Sequence, residues 1–378
     1  MVHVLEATVG GTRRHVLDLC HGLPAERFEQ HLVCSSRTPA FQADIQDLRA
    51  AGLRVTILPM RREINPPADL SALWALSELL RRERPDIVHG HSAKGGFLAR
   101  MAARLVQPRP ATVYNPHAFP FQMAVGPVRR WAYRELERWA GRYTDRLVAV
   151  CPSQLALALE HRVVPPGRVV LIRNGVRPTE AAEPAERDAV RAELRVPPDV
   201  PVFGTVAALA PQKSIASLVR AVPTVLRDPL PACFVIIGDG ALRPELERLA
   251  ASLGCAKQFR FLGQRQDVPR LLTGMDVFVL PSLWEGLPYA LLEAGLARLP
   301  VVATDIPGCR DLIVPSETGL LARPGDPLDL AVKLMELWRS PERSVMGGRL
   351  RERVLREYGL GQMLDGHAAL YEALAAQE

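Results

Sequence analysis

The sequence predicts an α/β protein made of two doubly wound, parallel-sheet domains. Three observations support this prediction: the length of the chain, the alternation of short apolar segments with amphipathic ones, and a restart of that alternation after a polar stretch near the middle. A chain of 378 residues is too long for one ordinary hydrophobic core and suits two. Since 48% of the residues are hydrophobic, we expect a folded protein of enzyme size.

The first half of the chain alternates between strand and helix patterns. Short apolar runs predict strands at residues 2–7, 31–35, 54–58, 87–90, 112–115, 146–150 and 169–172. Longer amphipathic segments predict helices at residues 12–23, 41–51, 68–84, 95–105 and 127–143. Such alternation is typical of parallel strands that are joined by crossover helices.

The polar residues 179–199, with prolines and alternating charges, predict a linker between the domains. The alternation then resumes, with predicted strands at 202–207, 233–238, 260–263, 277–280 and 301–304 and predicted helices at 215–226, 244–253, 288–299 and 327–339. Two Rossmann-like domains that face each other across a cleft are the simplest architecture. Ligands of such sheets bind beyond the carboxyl ends of the strands, so the loops there form the candidate site.

The composition argues against several classes of protein. No uncharged apolar run approaches the ~20 residues of a membrane-spanning helix. The first residues include Glu6 and no basic segment, so no signal peptide is predicted and we expect a cytoplasmic protein. The six cysteines are scattered without a C-x-x-C pair, which favours buried thiols over a disulfide framework or a zinc site.

Charge is divided unevenly along the chain. Residues 1–178 carry a net charge of +10, and the remainder carries −4. A basic first half suggests an anionic partner, either a phosphorylated acceptor or a membrane surface, whereas nucleic acid is not expected. The alternative is that the clustered arginines, such as Arg61-Arg62, Arg81-Arg82 and Arg129-Arg130, only solvate helix faces.

The most informative segment runs from Ser282 to Glu293. Glu285 falls in the loop after the strand predicted at 277–280, and Glu293 falls in the second turn of the next helix. An ionised carboxylate accepts hydrogen bonds from two hydroxyls at once, so both acids suit a sugar or a ribose. The helix start between them suits a diphosphate. The structural alternative is a first-turn acid that complements the helix dipole, followed by a surface acid.

This segment resembles the E-x7-E signature of family 4 of the retaining glycosyltransferases, which share the GT-B fold. The resemblance implies that Glu285 contacts the transferred sugar and that Glu293 binds the ribose of the nucleotide. Gly286 and Leu287, next to Glu285, are implied as donor-binding residues with it. Residues 307–310 resemble the branch of the family that makes bacterial surface polysaccharides.

Two segments of the first half match the same family. Gly10 and Gly11, after the first strand, resemble its glycine loop beside the donor phosphates, where glycine lets an anion approach the backbone. A plain turn is the alternative. His91 and Lys94 lie in a segment that resembles the family's His-x-His region, which implies a place on the acceptor side. A strand end followed by a helix start would explain them equally well.

Two further positions of the first half follow the family pattern. His117 resembles the family's histidine near the reacting sugar, which implies a catalytic role; a packed structural histidine is the alternative. Arg173 belongs to a segment that matches the family's interdomain loop, and we expect it to contact the donor. A turn alone would explain the neighbouring Asn174 and Gly175.

In the second half, Lys213 lies in a segment that resembles the donor-phosphate loop. Its ammonium would offset the negative charge that develops on the leaving diphosphate, so the resemblance implies a catalytic and donor-binding lysine. Gly240 completes the implied donor site. The family usually has an arginine at the place of Ala208 and a glycine at the place of Ser214. The chain departs from the pattern at both positions, which puts donor affinity or turnover in doubt.

The resemblance covers the chain from about Val2 to its end. It implies an acceptor-binding domain at residues 1–178, a donor-binding domain at 179–360 and a helix at 361–378 that crosses back to the first domain. It also implies retaining transfer of a hexose from a nucleoside-diphosphate sugar, UDP- or GDP-linked, to a saccharide or lipid-linked saccharide. No Asp-x-Asp motif occurs, which argues against a metal-bridged diphosphate, so neither a metal nor another cofactor is expected.

Two other functions stay open from the sequence. A homologue without the arginine at position 208 could bind a nucleotide sugar or a partner subunit without turnover. A nucleotide-sugar epimerase of similar two-domain shape would convert its substrate without an acceptor. Release of a nucleoside diphosphate in the presence of donor distinguishes a transferase from both.

Overall fold

The computed structural model describes residues 1–61, 63–178, 184–227 and 231–376. Arg62 and residues 179–183 of the predicted linker lie outside the described residues. The chain divides into two compact units, which we call unit 1 (residues 1–175 and 360–378) and unit 2 (residues 176–359). Each unit contains one parallel sheet with helices packed on it, which confirms the predicted fold class.

Unit 1 has a seven-stranded parallel sheet in the order β3-β2-β1-β4-β5-β6-β7. Its strands are β1 (Val2–Leu5), β2 (His31–Cys34), β3 (Arg54–Ile57), β4 (Ile87–His91), β5 (Ala111–Asn115), β6 (Arg146–Ala149) and β7 (Val169–Leu171). Its helices are α1 (Gly10–Gly22), α2 (Pro39–Ala50), α3 (Pro66–Glu83), α4 (Ser92–Arg104), α5 (Pro127–Gly141), α6 (Pro152–Glu160) and, from the end of the chain, α15 (Leu360–Ala375).

Unit 2 has a six-stranded parallel sheet in the order β10-β9-β8-β11-β12-β13. Its strands are β8 (Val202–Val206), β9 (Cys233–Ile237), β10 (Phe259–Gly263), β11 (Val277–Leu280), β12 (Val301–Thr304) and β13 (Leu320–Ala322). Its helices are α7 (Pro184–Glu193), α8 (Ile215–Val225), α9 (Arg243–Ser252), α10 (Val268–Thr273), α11 (Tyr289–Leu296), α12 (Pro307–Arg310), α13 (Pro327–Arg339) and α14 (Arg343–Glu357). Five helices and one strand lie outside the segments predicted from the sequence: α6, α7, α10, α12, α14 and β13.

The central strands are buried on both faces, which is why they appear in the sequence as continuous apolar runs. In β4, Val88 packs in a cluster with residues of α3 and α4, whereas its neighbour Ile87 packs with Met363 and Tyr371 of α15. Successive side chains of a strand point to opposite faces, so α15 and the pair α3 and α4 cover opposite faces of the unit 1 sheet. In unit 2, Phe203 lies in one large core cluster with residues of α8 and α13.

The boundaries of several helices follow from local sequence. The side chain of Asn65 accepts a hydrogen bond from the backbone N–H of Ala68 at 3.2 Å and so caps α3. Oδ1 of Asp326 accepts from the N–H groups of Leu328 and Asp329, each at 3.0 Å, and caps α13. Helices α2, α3, α5 and α6 have proline in the first turn, where a missing N–H costs no hydrogen bond.

The predicted linker is wrong in part. Within the polar stretch 179–199, residues 184–193 form α7, and Arg191 of this helix is 4% exposed inside unit 2. Its guanidinium donates to Oδ2 of Asp276 at 3.1 Å and to the carbonyl oxygens of Pro197 and Pro198 at 2.9 and 3.1 Å. The alternating charges therefore belong to an amphipathic helix whose buried arginine is hydrogen-bonded inside unit 2, rather than to a solvated tether.

Within the residues that the structure describes, no helix is both long enough and apolar enough to cross a bilayer.

Candidate functional site

The carboxyl edge of the unit 2 sheet brings two loops together. β8 and β11 are neighbouring parallel strands, so the loops that follow them leave the sheet at the same edge. The first loop places Lys213 at the end of a 3-10 turn, and the second contains Glu285. The N–H of Leu283 donates to the carbonyl oxygen of Gln212 at 2.8 Å, which ties the loops to each other.

Glu285 has hydrogen-bond partners on both carboxylate oxygens. The ammonium of Lys213 pairs with Oε1. The hydroxyl of Ser282 also donates to Oε1, at 2.7 Å, and the amide of Gln212 donates to Oε2 at 3.3 Å. Glu285 is only 7% exposed, so these partners compensate for the loss of water around its charge. The side chain of Lys213 stays 21% exposed, which leaves part of the cation accessible to an anion.

The neighbouring strand fixes the start of the second loop. The hydroxyl of Thr304, at the end of β12, donates to the carbonyl oxygen of Ser282 at 2.5 Å. The carbonyl oxygen of Trp284 accepts from Nε2 of Gln212 at 2.8 Å. Glu285 therefore sits in a loop that is held at three successive sites, which suits a carboxylate that must keep one orientation.

Glu293 occupies the second turn of α11 and is partly buried. The helix is shorter than the predicted 288–299, because Pro288 is its N-cap in an extended conformation and the helix ends at Leu296. Gly286 and Leu287 are buried in the segment between the two acids. A Cβ atom on Gly308 would lie 1.6 Å from the carbonyl oxygen of Gly286, so the glycine of the 307–310 motif permits this backbone contact.

Gly240 follows β9 and packs against the loop that leads to Lys213. A Cβ atom on Gly240 would lie 2.5 Å from the carbonyl oxygen of Leu209. The N–H of Leu209 donates to the carbonyl oxygen of Asp239 at 2.9 Å. Close packing against Leu209 therefore explains why this position is glycine, in addition to the donor contact that the sequence predicts.

Both departures from the family pattern have structural consequences. Ser214 adopts a left-handed backbone with φ of +47° directly before α8. Glycine adopts this conformation at no steric cost, whereas an L side chain costs roughly 1–2 kcal/mol there, which explains why glycine is usual. Ala208 is exposed in the loop after β8, so no guanidinium extends from this position.

In unit 1, Gly10 begins α1 with φ of +74°. This left-handed conformation is the reason for glycine at that position. Gly11 follows in the first turn of the helix, directly beyond the loop after β1. Arg173 follows β7 and is partly buried.

His117 and His91 lie next to each other at the carboxyl edge of the unit 1 sheet. His91 ends β4, and His117 follows the adjacent strand β5 with φ of +56°. Nε2 of His117 lies 3.4 Å from Nδ1 of His91, and Nε2 of His91 lies 3.1 Å from Nδ1 of His3. His91 is fully buried, whereas His117 is partly buried.

Gln30 sets the direction of this imidazole chain. Its Nε2 donates to the carbonyl oxygen of Cys20 at 3.3 Å, so its Oε1 accepts from Nε2 of His3 at 3.3 Å. His3 then accepts from His91 at Nδ1, and His91 accepts from His117 at Nδ1. Burial lowers the pKa of His117 to about 3, and it lowers the pKa of His91 well below its usual value, with a further contribution from His89. Burial likewise lowers the pKa of His3 to about 3, so the three rings are neutral at pH 7.

Lys94 is already paired in unit 1. Its ammonium lies 2.6 and 2.8 Å from the carboxylate oxygens of Asp69 and donates to the carbonyl oxygen of Glu63 at 2.8 Å. An acceptor contact at Lys94 would have to share or replace these bonds.

Sequence reasoning missed several residues that hold the candidate site in place. Gln212 and Ser282 fix Glu285, and the only sequence signal for them is their position beside the two motifs. His3, His15 and Gln30 surround the candidate histidines, although they are distant from them in sequence. Their shared location results from the pairing of β1 with β4 and of β4 with β5.

Two family models match the chain, one in each half. Residues 10–175 match the glycosyl transferase 4-like domain, and residues 200–340 match the glycosyl transferases group 1 domain. The two matches fall on unit 1 and unit 2 respectively.

Proteins related along most of the chain are glycosyltransferases. The chain is 30% identical over 377 residues to UDP-Gal:alpha-D-GlcNAc-diphosphoundecaprenol alpha-1,3-galactosyltransferase of Escherichia coli, covering 98% of this chain and 96% of that protein. It is 29% identical to the putative glycosyltransferase EpsD of Bacillus subtilis, with 84% of each chain covered.

The solved structure of Anabaena Alr3699/HepE in complex with UDP and glucose has the same fold, with a TM-score of 0.83 at 17% identity. The match covers 98% of this chain and 99% of that one. The sequence resemblance is confirmed by these matches: the chain belongs to family 4 of the glycosyltransferases and has their GT-B fold.

Proposed function

We propose that this protein is a retaining, metal-independent hexosyltransferase that moves a sugar from UDP- or GDP-sugar to a saccharide or lipid-linked saccharide. The observation that supports it best is the buried Glu285 carboxylate, paired with Lys213 at the carboxyl edge of neighbouring strands. A buried ion pair at the carboxyl edge of a parallel sheet is better explained by binding of a polar ligand than by packing of the hydrophobic core. The name of the Escherichia coli relative includes UDP-Gal, so a UDP-sugar is the first donor to test.

Unit 2 is the proposed donor-binding unit. Lys213 faces the diphosphate and stabilises the charge that grows on it as the bond to the sugar breaks. Glu285 accepts hydrogen bonds from hydroxyls of the transferred sugar, and Glu293 accepts from the hydroxyls of the ribose. Gly240 and the Gly286–Leu287 backbone complete this site. Gly10, Gly11 and Arg173 are donor-binding residues by the family resemblance.

The configuration at the anomeric carbon is retained if the acceptor attacks this carbon from the same face that the nucleotide leaves. The bond from the anomeric carbon to the phosphate oxygen breaks, and the acceptor oxygen bonds to the same carbon. The acceptor's proton passes to the phosphate oxygen of the leaving nucleotide, which needs no metal and no separate base. His117, neutral at pH 7, is the proposed hydrogen-bonding partner of the sugar. His91 orients His117, and Lys94 lies on the acceptor side.

An anionic membrane surface is the proposed location of a lipid-linked acceptor, and α5 is the part of unit 1 that fits it. Val128, Trp131 and Trp139 of this helix are 78%, 57% and 38% exposed. Arg129 and Arg130 are exposed on the same helix. A helix that exposes tryptophan beside arginine suits the interface of an anionic bilayer, because the rings enter the headgroup region and the guanidinium groups pair with phosphates.

The direct test combines the purified protein with UDP- or GDP-hexoses and GlcNAc-diphosphoundecaprenol. We expect acceptor-dependent release of nucleoside diphosphate, an α-linked product by NMR from an α-linked donor, and unchanged turnover in EDTA. A β-linked product would overturn retention, and loss of turnover in EDTA would overturn metal independence.

The exposed Ala208 supports a second candidate, a non-catalytic homologue that binds a nucleotide sugar or a partner subunit. Nucleotide binding without release of nucleoside diphosphate, across the donors and acceptors tested, would favour it. The relatives that match along most of the chain are named as transferases, which makes this candidate the weaker one.

A further inference from the structure

Three histidines of unit 1 converge on one place from three elements. His15 lies in α1, His91 ends β4, and His117 follows β5. One ring nitrogen from each of them lies within 4.8 Å of the other two. They meet because α1 follows β1, and β1, β4 and β5 are adjacent strands whose carboxyl ends share an edge.

Hydrogen bonds select the ring nitrogen that His15 and His91 can offer. Nδ1 of His15 lies 3.0 Å from Oδ1 of Asn174 and donates to it, which leaves a lone pair on Nε2. Nε2 of His91 donates to His3, which leaves a lone pair on Nδ1. Nε2 of His117 lies 3.4 Å from that atom and donates to it in the metal-free protein, so metal binding requires the single ring proton of His117 to move to Nδ1. Nε2 of His15 also lies 3.4 Å from the amide nitrogen of Asn115, which is a long hydrogen bond.

The spacing suits a tetrahedral metal ion. Zinc binds imidazole nitrogens at about 2.0–2.1 Å, so two nitrogens of a tetrahedral site are about 3.4 Å apart. The distance between His91 and His117 has this value before any adjustment. Asn174 orients His15, and the chain from His3 to Gln30 orients His91, as second-shell groups do at metal sites.

One of the three proposed ligands is accessible from solvent. His117 is only partly buried, which gives an ion access and leaves room for water as a fourth ligand.

We propose that Nε2 of His15, Nδ1 of His91 and Nε2 of His117 form a binding site for Zn²⁺. A second triad, His3, His89 and His91, is wholly buried and is therefore the less accessible of the two. The ion would occupy His117 and inhibit transfer, a consequence that rests on the proposed function.

Metal binding is measured on untagged protein stripped with a chelator. Titration calorimetry with Zn²⁺ should give about one ion per chain, and Co²⁺ should give the visible absorption of tetrahedral coordination. His15→Gln and His117→Gln should each abolish that site. His21→Gln, an exposed position on the same helix α1, should retain it. Unfolding temperatures of the metal-free variants show whether each one folds.

Four outcomes decide the proposal. The proposal is wrong if the wild-type protein binds no Zn²⁺. It is also wrong if the His89→Gln variant loses Zn²⁺ binding while a folded His15→Gln variant keeps it. Binding without inhibition of transfer overturns the inhibitory consequence and leaves the site. Absence of transfer from metal-free protein would overturn the proposed function alone, since the calorimetric readout does not depend on activity.

Discussion

The ammonium of Lys213 and the carboxylate of Glu285 form an ion pair between the loops that follow β8 and β11. The pair is mostly buried, with 21% of the lysine side chain and 8% of the glutamate side chain exposed. Each charge therefore depends on the other for compensation, and both belong to the proposed donor site.

Replacing Lys213 by methionine should lower the free energy of unfolding by about 1–3 kcal/mol, because it leaves the Glu285 charge without its cation. The double variant Lys213→Met/Glu285→Gln should recover most of that loss, since the remaining amide is neutral. Urea unfolding of the wild-type protein, the two single variants and the double variant gives the four unfolding free energies of a double-mutant cycle. Additive effects of the two substitutions would contradict the pairing.

Replacing Glu293 by alanine should abolish stabilisation by nucleotide. A ligand at ~100 times its dissociation constant stabilises the folded protein by about 2.7 kcal/mol, which a thermal shift detects. We expect a shift of the wild-type protein with UDP or GDP and none with this variant at the same concentration. Glu352→Ala, at an exposed acid of α14, is the control and should keep the shift. An equal shift in the Glu293 variant would remove this residue from the donor site.

Replacing Arg191 by leucine should destabilise unit 2. The guanidinium donates to Asp276 and to the carbonyl oxygens of Pro197 and Pro198. Asp276 keeps Arg187 and the N–H of Val202 as donors, whereas the two carbonyl oxygens lose the arginine. We expect a loss of about 3 kcal/mol in denaturant unfolding. Asp188→Ala, on the exposed face of the same helix, should change stability by less than about 0.5 kcal/mol. Similar small effects in both would favour the linker that the sequence predicted.

The six cysteines should resist alkylation in the native protein. All six are buried free thiols, and burial raises the pKa of Cys20 and of Cys34 to about 12 and the pKa of Cys309 well above its usual value. The thiolate is the reactive form, so few reactive groups exist at pH 8. Iodoacetamide followed by mass spectrometry should label the folded protein slowly and all six positions after unfolding. Rapid labelling of the native protein would contradict this burial.

Membrane contact through α5 is tested by co-sedimentation with vesicles of phosphatidylglycerol and phosphatidylcholine. Wild-type protein should bind at low salt and lose binding as salt rises, because the arginines act through screened charge. Trp131→Ser should weaken binding several-fold. Leu328→Ser, at a residue of unit 2 that is 65% exposed, should not. If neither vesicle charge nor Trp131 affects binding, the proposed surface is wrong.

Much of the fold followed from local patterns. Strands such as β8 and β11 are short apolar runs, and helices such as α13, predicted and observed at Pro327–Arg339, have an apolar face and a capping residue. The linker prediction is wrong over α7, because the charges of this helix look solvated in the sequence. Its partners, Asp276 and the carbonyl oxygens after the helix, could not be read from the charges of the helix itself.

The sequence by itself determined the two parallel-sheet domains, the family, and the placement of Lys213, Glu285 and Glu293 in loops or helices after strands. Only the tertiary structure decided that Lys213 pairs with Glu285, that Lys94 is held by Asp69, and that His15 joins the pair His91 and His117. The reason is physical: periodicity records which face of an element is buried, whereas contacts between distant residues depend on strand order, which the hydrophobic pattern does not encode.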